Sequence, residues 1–228
     1  MYQRWHDLLF LRWEYPAAAI QATLPEGLLV DTFDGRAYLG VVPFFMRNIR
    51  PSFLPAVPGI SDFMELNLRT YVHDRSGVPG VWFYSLDANQ WLAVKIARRV
   101  FHLPYEHAKM TSSRTPCAGI RYESARGGDE AIGMTCTYEY APGAELPPAA
   151  PGSLEFFLIE RYRLYSSAPD GLCRGAVFHE PYPLCRAEVT AWDENLLALD
   201  GFTPTGRPPD HIVMSRGVDV IIFPLERV

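Results

Sequence analysis

Titratable side chains follow a helical pattern in residues 97–110, and they are the first candidates for chemistry. Tyr105 and Glu106 come directly after Pro104, which cannot continue a helix and favours an extended geometry at the residue before it. A phenol and a carboxyl group placed together can exchange protons with a substrate or donate hydrogen bonds to it. A helix-to-strand turn with exposed polar residues is the simpler interpretation of the same pattern.

A second stretch, residues 62–73, alternates in the way that is typical of a strand. One face is apolar apart from a threonine, so we assign it to the core. The other face carries Phe63, Glu65, Asn67, Arg69 and Tyr71. If this face meets solvent, Glu65 and Arg69 form an ordinary polar ladder. If it lines a cavity, they are buried charges that need partners, and they become functional candidates.

Two neighbouring elements must position these groups. Pro79 and Gly80 mark a turn, and the aromatic and β-branched residues 81–86 after it predict a strand that includes Trp82 and Tyr84. Asp87 or Asn89 can then cap a helix with one wide apolar stripe, which ends by about His102.

The remaining pattern predicts many strands, short turns and a few short helices. The further strands are expected at residues 6–15, 28–30, 36–46, 114–123, 130–140, 161–166, 173–180, 183–191, 211–216 and 218–225, with short helices at 17–23, 154–158 and 194–199. Residues 126–129 read as a hairpin turn, and the Pro-rich segment 47–59 as a surface loop that can act as a lid. We therefore predict one domain over residues 1–228, of the α+β class with mostly antiparallel strands.

Composition excludes several classes of function. A net charge of −5 argues against a nucleic-acid-binding surface. Apolar runs are too short to span a membrane and the first residues do not form a secretion signal, so we expect a cytoplasmic protein. The four cysteines are widely spaced and we assign them as buried small hydrophobic residues. With no dinucleotide, phosphate-loop or zinc motif, we expect neither a cofactor nor a metal.

Ordered motifs along nearly the whole chain resemble a bacterial family of uncharacterised proteins. These motifs are Trp5 to Trp13, Leu24-Pro25-Glu26-Gly27-Leu28, Gly40-Val41-Val42-Pro43-Phe44, Asn67-Leu68-Arg69-Thr70-Tyr71-Val72, Gly80-Val81-Trp82-Phe83 and His179-Glu180-Pro181. The family is domain of unknown function 2071 (DUF2071), also called YqjF-like. The resemblance implies an acetoacetate decarboxylase-like fold, which is a mostly antiparallel β-barrel or cone with a central cavity and two or three flanking helices.

A fainter resemblance to acetoacetate decarboxylase itself covers the first half of the chain. In that enzyme a proline after the helix precedes a lysine pair, and one lysine forms a Schiff base with the keto acid. Tyr105 and Glu106 stand at those positions here, so the parent reaction is not expected. Glu65 matches a pocket glutamate of the enzyme, and His6 falls near a pocket arginine. Lys95 and Lys109 offer the other amines, of which Lys95 is expected on the solvated face of the helix.

Two functional hypotheses remain. The first is an enzyme acting on a small carbonyl or carboxylate metabolite, with Glu65 as the base, Tyr105 and Glu106 as acid–base partners, and Arg69 or His6 binding the anion. The second is a non-catalytic barrel that binds a small ligand through the same groups. In either case the expected ligand contacts are His6, Arg69, Tyr71, Trp82 and Tyr84. We also expect homo-oligomers, whose size the sequence does not give.

Overall fold

The computed structural model describes residues 1–127 and 134–228, which form twelve strands and four α-helices. The strands are β1 (Tyr2–Tyr15), β2 (Leu28–Val30), β3 (Ala37–Arg50), β4 (Phe63–Asp74), β5 (Pro79–Ala88), β6 (Tyr105–Thr115), β7 (Gly119–Arg126), β8 (Cys136–Glu145), β9 (Arg163–Ala168), β10 (Gly171–His179), β11 (Leu184–Ala191) and β12 (His211–Arg227). The helices are α1 (Ala17–Gln21), α2 (Trp91–Phe101), α3 (Leu154–Ile159) and α4 (Asn195–Leu199), and a 3-10 turn spans Pro116–Ala118.

All twelve strands belong to one sheet whose pairings close two rings. One ring runs through β12, β1, β3, β4, β5, β9 and β10, and returns to β12. The other shares β12, β1, β3, β4 and β5 but continues through β6, β7, β8 and β11. Only the pairings of β5 with β6 and with β9 are parallel within the described chain. This arrangement agrees with the predicted α+β class of mostly antiparallel strands.

The shared strands separate two interiors because successive side chains point to opposite faces. The first ring encloses what we call the cavity interior, to which β1 contributes Leu8 and Phe10. The second ring encloses the packed interior, which receives Leu9 and Leu11 from the same strand. In β4, Met64, Leu66 and Leu68 enter the packed interior, whereas Phe63 and Tyr71 belong to the cavity interior. The alternation predicted for residues 62–73 is thereby confirmed.

Helix α2 connects β5 to β6, the strand that carries Tyr105. The cap is Gln90 rather than the predicted Asp87 or Asn89, since the Gln90 side chain accepts a hydrogen bond of 3.0 Å from the Leu92 N–H. The helix ends at Phe101, in agreement with the predicted end by about His102, and the capping residue His102 adopts a left-handed conformation with φ of 49°. Leu103 and Pro104 then lead the chain into β6 beside β5.

Three sequence predictions about the strands are wrong. Strand β6 occupies Tyr105–Thr115, of which only residues 114 and 115 were predicted as strand, because its outward face is polar and its alternation is weak. Strand β3 continues to Arg50 into the predicted loop. The two last predicted strands are one strand, β12, in which Gly217 lies too close to the Trp5 carbonyl oxygen to carry a side chain. The predicted hairpin turn at 126–129 and the start of strand 130–140 lie partly outside the described residues.

The cysteines whose side chains are described are buried and unbridged, namely Cys136, Cys173 and Cys185. The Cys117 side chain lies outside the described part of the structure. Within residues 1–127 and 134–228, the helices are all too short or too polar to cross a membrane.

Candidate functional site

A cavity of about 310 Å³ lies in the cavity interior. Its wall is formed by β1, β3, β4, β5, β6, β9, β10 and β12, and α2 and the Pro-rich segment cover one end. The lining residues that are also exposed to solvent come from this covered end, and include Leu54, Val57, Ile60 and Ile96. The cavity therefore opens between α2 and residues 51–60, most of which belong to the predicted surface loop 47–59.

Glu65 and Tyr105 meet inside this cavity. The Tyr105 hydroxyl donates a hydrogen bond of 2.6 Å to Glu65 Oε2, and the Asn67 amide donates one of 3.4 Å to Oε1. Glu65 is only 3% exposed, and no cation forms an ion pair with it in the described part of the chain. Tyr122, from the packed interior, fixes the strand at this point by donating a hydrogen bond of 2.8 Å to the Glu65 carbonyl oxygen.

The surroundings of this pair change its protonation behaviour. Burial raises the pKa of Glu65 to about 7, although the hydrogen bonds from Tyr105 and Asn67 oppose the shift. Burial, together with the neighbouring Glu65 charge, raises the pKa of Tyr105 well above its ordinary value. Near neutral pH, Glu65 can thus gain or lose a proton while Tyr105 stays protonated and able to donate.

Cations lie at the end of the cavity away from the opening. Arg69, Arg161 and Arg163 all line it. Arg161 is balanced by Asp31, to which its guanidinium donates a hydrogen bond of 2.7 Å. Arg69 has no such partner: its buried Nε is without a hydrogen-bond acceptor among the described residues, and its guanidinium lies 5.5 Å from the centre of the Phe10 ring.

Tyr71 lies in the wall behind Arg69 and does not line the cavity. The fully buried Arg12 donates a hydrogen bond of 2.7 Å from Nε to the Tyr71 hydroxyl. Burial alone would raise the pKa of Tyr71, but the charges of Arg12, Arg69 and Arg161 outweigh it and hold that pKa below its ordinary value. The predicted ligand contact is therefore a neighbour of the arginines that support the site.

Glu106 does not converge with the other two predicted catalytic residues. It follows Tyr105 in β6, so its side chain points to the opposite face of the strand. There it forms an exposed ion pair with Arg98 of α2, at 2.7 Å between Nη2 and Oε1.

Three predicted ligand contacts also lie elsewhere. A register shift between β4 and β5 near Arg69 turns Phe83 towards the cavity, so Trp82 and Tyr84 face away from it. Tyr84 instead lies 2.8 Å from the Thr23 hydroxyl and packs on Phe202. His6 lines a separate open groove because the chain makes an irregular turn at Asp7, which has a φ of 52°.

Sequence reasoning missed several residues of the cavity wall. Arg161 and Arg163 were not among the predicted site residues, yet their two-residue spacing matches a strand face, as it does for Asn67 and Arg69. His179 lines the cavity and stacks on the Tyr162 ring at 4.8 Å. Burial lowers the pKa of His179, which favours its neutral form.

The side chains present also bear on metal binding and on Schiff-base chemistry. The described residues contain no group of three or more His, Cys, Asp or Glu side chains able to hold a metal ion. The sequence has two lysines, Lys95 and Lys109, and both are exposed and outside the cavity lining. A Schiff base on a lysine in this cavity therefore has no donor.

Solved structures with the same fold include several enzymes. Acetoacetate decarboxylase from Legionella pneumophila superposes with a TM-score of 0.62 at 12% identity, over 96% of this chain and 84% of its own. The enduracididine biosynthesis enzyme MppR in complex with pyruvate has a TM-score of 0.65 at 12% identity, over 99% of this chain and 89% of its own. An acetoacetate decarboxylase-like enzyme from Sphingomonas wittichii RW1 has a TM-score of 0.64 at 15% identity, over 100% and 92% of the two chains. The fold is therefore acetoacetate decarboxylase-like, as the resemblance implied.

Sequence comparison identifies the family. The uncharacterized protein YqjF of Bacillus subtilis (strain 168) is 37% identical over 228 residues, which is 100% of this chain and 92% of that protein. The DUF2071 family model, described as an uncharacterized conserved protein, matches residues 2–219. The chain belongs to the DUF2071 family.

Proposed function

We propose that the protein is an acid–base enzyme that acts on a small carbonyl or carboxylate metabolite. The observation that carries the proposal is the hydrogen bond of 2.6 Å from Tyr105 to Glu65 inside a cavity that opens to solvent. A general base works best when its pKa lies near the operating pH, and burial raises the pKa of Glu65 to about 7.

The reaction class that fits these groups is proton transfer at a carbon next to a carbonyl. Glu65, as the carboxylate, takes the proton from that carbon, and the electron pair moves onto the carbonyl oxygen. The Tyr105 hydroxyl and the Asn67 amide are the donors near enough to stabilise the oxyanion. Return of the proton from Glu65 to carbon completes an exchange or an isomerisation, with no other reactant required.

The structural neighbours support a substrate of this kind. One neighbour is a biosynthetic enzyme in complex with pyruvate, which is itself a carbonyl compound with a carboxylate. Acetoacetate decarboxylase, another neighbour, is named for a compound with the same two groups. Because neither lysine of this chain lines the cavity, the route proposed here does not pass through an imine.

A binding protein without catalytic activity is the second candidate. It is favoured by the apolar opening of the cavity, where Leu54, Val57 and Ile96 provide contact surface but no chemistry. The two functions differ in what they require of Glu65. A binding protein has no need of a carboxyl group with a pKa near 7, so we prefer the enzyme.

The test is the exchange of substrate hydrogen for deuterium, followed by proton NMR in D₂O with pyruvate, 2-oxobutanoate and acetoacetate. We expect the wild-type protein to accelerate exchange next to the carbonyl of at least one of them. Glu65→Gln should lower that rate by about 10²–10⁴-fold, the usual contribution of a general base. Glu106→Gln, which changes the same chemical group on the outer face, should leave the rate unchanged. Exchange that survives Glu65→Gln, or its absence with all three compounds, would contradict the proposal.

Borohydride trapping tests the competing chemistry separately. Incubation with acetoacetate and borohydride should give no stable adduct by mass spectrometry, because the lysines lie outside the cavity. An adduct on Lys95 or Lys109 would replace the acid–base route with a Schiff base.

A further inference from the structure

We propose that the ligand of the cavity is an amphipathic carboxylate, whose carboxylate group binds Arg69 and whose apolar chain extends towards the opening. The inference rests on the proposed function only in placing the reacting group beside Glu65. The binding mode itself depends on the distribution of charge and apolar surface along the cavity.

The side chains of β4 mark the direction of this distribution. From the opening inwards, the cavity-facing residues are Phe63, Glu65, Asn67 and Arg69. Strand geometry places Glu65 and Arg69 about 13 Å apart along the backbone. The cavity therefore changes along one axis from apolar, through a hydrogen-bonding middle, to cationic.

The cationic end requires an anion. Taking a guanidinium nitrogen out of water costs free energy unless it donates a hydrogen bond and the charge of the group is balanced. Arg161 meets both conditions through Asp31 at 2.7 Å. Arg69, which is partly buried, meets neither in the described part of the chain, since its buried Nε lacks an acceptor and none of the ion pairs found there includes it. A carboxylate is the planar group that a guanidinium binds best, through two parallel hydrogen bonds.

A second unpartnered atom points to the same ligand. The Asn67 Oδ1 atom is buried and accepts no hydrogen bond from the described residues, while the amide nitrogen of the same side chain donates to Glu65. This acceptor lies between Arg69 and Glu65 on the cavity face. A ligand held by Arg69 and reaching Glu65 would pass it, and a hydroxyl or enol group there would satisfy it.

The other end of the cavity suits a hydrocarbon chain. The Pro-rich segment contributes Leu54, Val57 and Ile60, and α2 contributes Ile96 and Phe101. All of these side chains except Phe101 leave apolar surface exposed to water, which a bound chain would cover. A fully polar metabolite such as a sugar or a dicarboxylate would leave its polar groups without partners at this end.

Isothermal titration calorimetry with octanoate, 1-octanol, butanoate and acetate tests the inference. Wild-type protein should bind octanoate at least tenfold more tightly than 1-octanol, and each methylene beyond butanoate should tighten binding about fourfold. Arg69→Gln should weaken octanoate binding about 10–100-fold, the size of a lost charged hydrogen-bond pair, without changing the affinity for 1-octanol. Val57→Asp should weaken both.

Controls separate this result from misfolding and from general electrostatics. Arg99→Gln removes the same charge from the exposed face of α2 and should alter neither affinity, and circular dichroism should give the same spectrum for all variants. Equal binding of octanoate and 1-octanol by the wild type would overturn the inference. So would a preference for octanoate that survives Arg69→Gln, or acetate binding as tight as that of octanoate.

The outcome is independent of the catalytic proposal. If octanoate binds as expected but no oxo acid exchanges its hydrogen, the inference stands and the proposed enzyme activity fails. If exchange depends on Glu65 but octanoate shows no dependence on Arg69, the activity stands and this inference fails.

Discussion

The two faces of the shared strands each carry a buried carboxylate, and the two carboxylates have different hydrogen-bond partners. Glu65 on β4 belongs to the cavity interior, where its partners are the Tyr105 hydroxyl and the Asn67 amide. Asp87 on β5 belongs to the opposite face, where the Arg126 guanidinium donates a hydrogen bond of 2.7 Å to it. Arg126 donates a second hydrogen bond, also of 2.7 Å, to Asp200.

The pKa alone does not separate these two carboxylates. Burial raises the pKa of Asp87 to about 7, as it does for Glu65, although Arg126 opposes the shift. What differs is the neighbourhood, since Glu65 adjoins a cavity and Asp87 adjoins ion-paired side chains. A perturbed carboxyl group indicates a functional site only when a ligand has room beside it.

The largest effect that this comparison predicts is on stability, at Arg126. Arg126→Ala leaves Asp87 and Asp200 close together with no cation, and Asp87 is only 1% exposed. Removing one partner of a buried ion pair costs about 3–5 kcal/mol of unfolding free energy. Urea unfolding at pH 7.5 measures the loss, and a change below about 1 kcal/mol would show that Arg126 does not hold these carboxylates together.

The next effect is a pH dependence of stability that comes from Glu65. Because burial raises the pKa of Glu65 from 4.5 to about 7, the folded protein binds a proton that the unfolded chain releases between these values. Stability from this group is present below about pH 4.5 and is lost as the pH rises to about 7, by about 3 kcal/mol. Urea midpoints from pH 4.5 to 8 should fall less steeply for Glu65→Gln. The same slope in both proteins would refute the assignment to Glu65.

A smaller effect is expected at the donor of the pair. Tyr105→Phe removes the hydrogen bond that favours the Glu65 carboxylate, so the pKa of Glu65 should move further up. The stability loss should be about 1–3 kcal/mol at pH 8, where the carboxylate loses its donor, and smaller at pH 5. The pH–rate profile of deuterium exchange should shift to higher pH. A profile that moves down, or a loss that is equal at both pH values, would contradict this role.

The smallest effect is expected at Glu106, which sharpens the contrast between adjacent residues of β6. Its ion pair with Arg98 is half exposed on both sides. Exposed pairs of this kind contribute about 0.2–1 kcal/mol, so Glu106→Gln should lower the unfolding free energy by no more than that. Thermal unfolding and the exchange assay measure the two quantities. A loss of exchange activity would place Glu106 in the reaction after all.

The sequence predicted the parts of the site that follow from regular alternation. Residues 62–73 alternate without interruption, so the shared face of Glu65, Asn67 and Arg69 could be inferred. Tyr105 was selected by its place after Pro104, although the strand that carries it was not recognised. Local periodicity and a proline indicated which side chains share a face, but the expectation that they line a cavity came from the resemblance to the decarboxylase fold.

The remaining predictions failed where the strands are irregular or where distant segments meet. The register shift beside Arg69 turns Phe83 towards the cavity in place of Trp82 and Tyr84. Nothing in the local pattern indicates such a shift. The irregularity after His6 likewise changes which side chains of β1 face the cavity. Arg161 and His179 reach the cavity through strand pairings between segments far apart in sequence, which periodicity does not reveal.

Strands β1, β3 and β4 separate the two interiors, and this has a consequence for the tolerance of the fold to insertions and deletions. Each residue of these strands faces one of the two interiors. The deletion of a single residue ahead of Glu65 would therefore move every later side chain of β4 to the opposite face. Met64, Leu66 and Leu68 would then point into the cavity. Glu65, Asn67 and Arg69 would point into the packed interior, among apolar side chains. Insertions or deletions of one residue in these strands should therefore be far more damaging than point substitutions. Insertions or deletions of two residues should be less damaging than those of one.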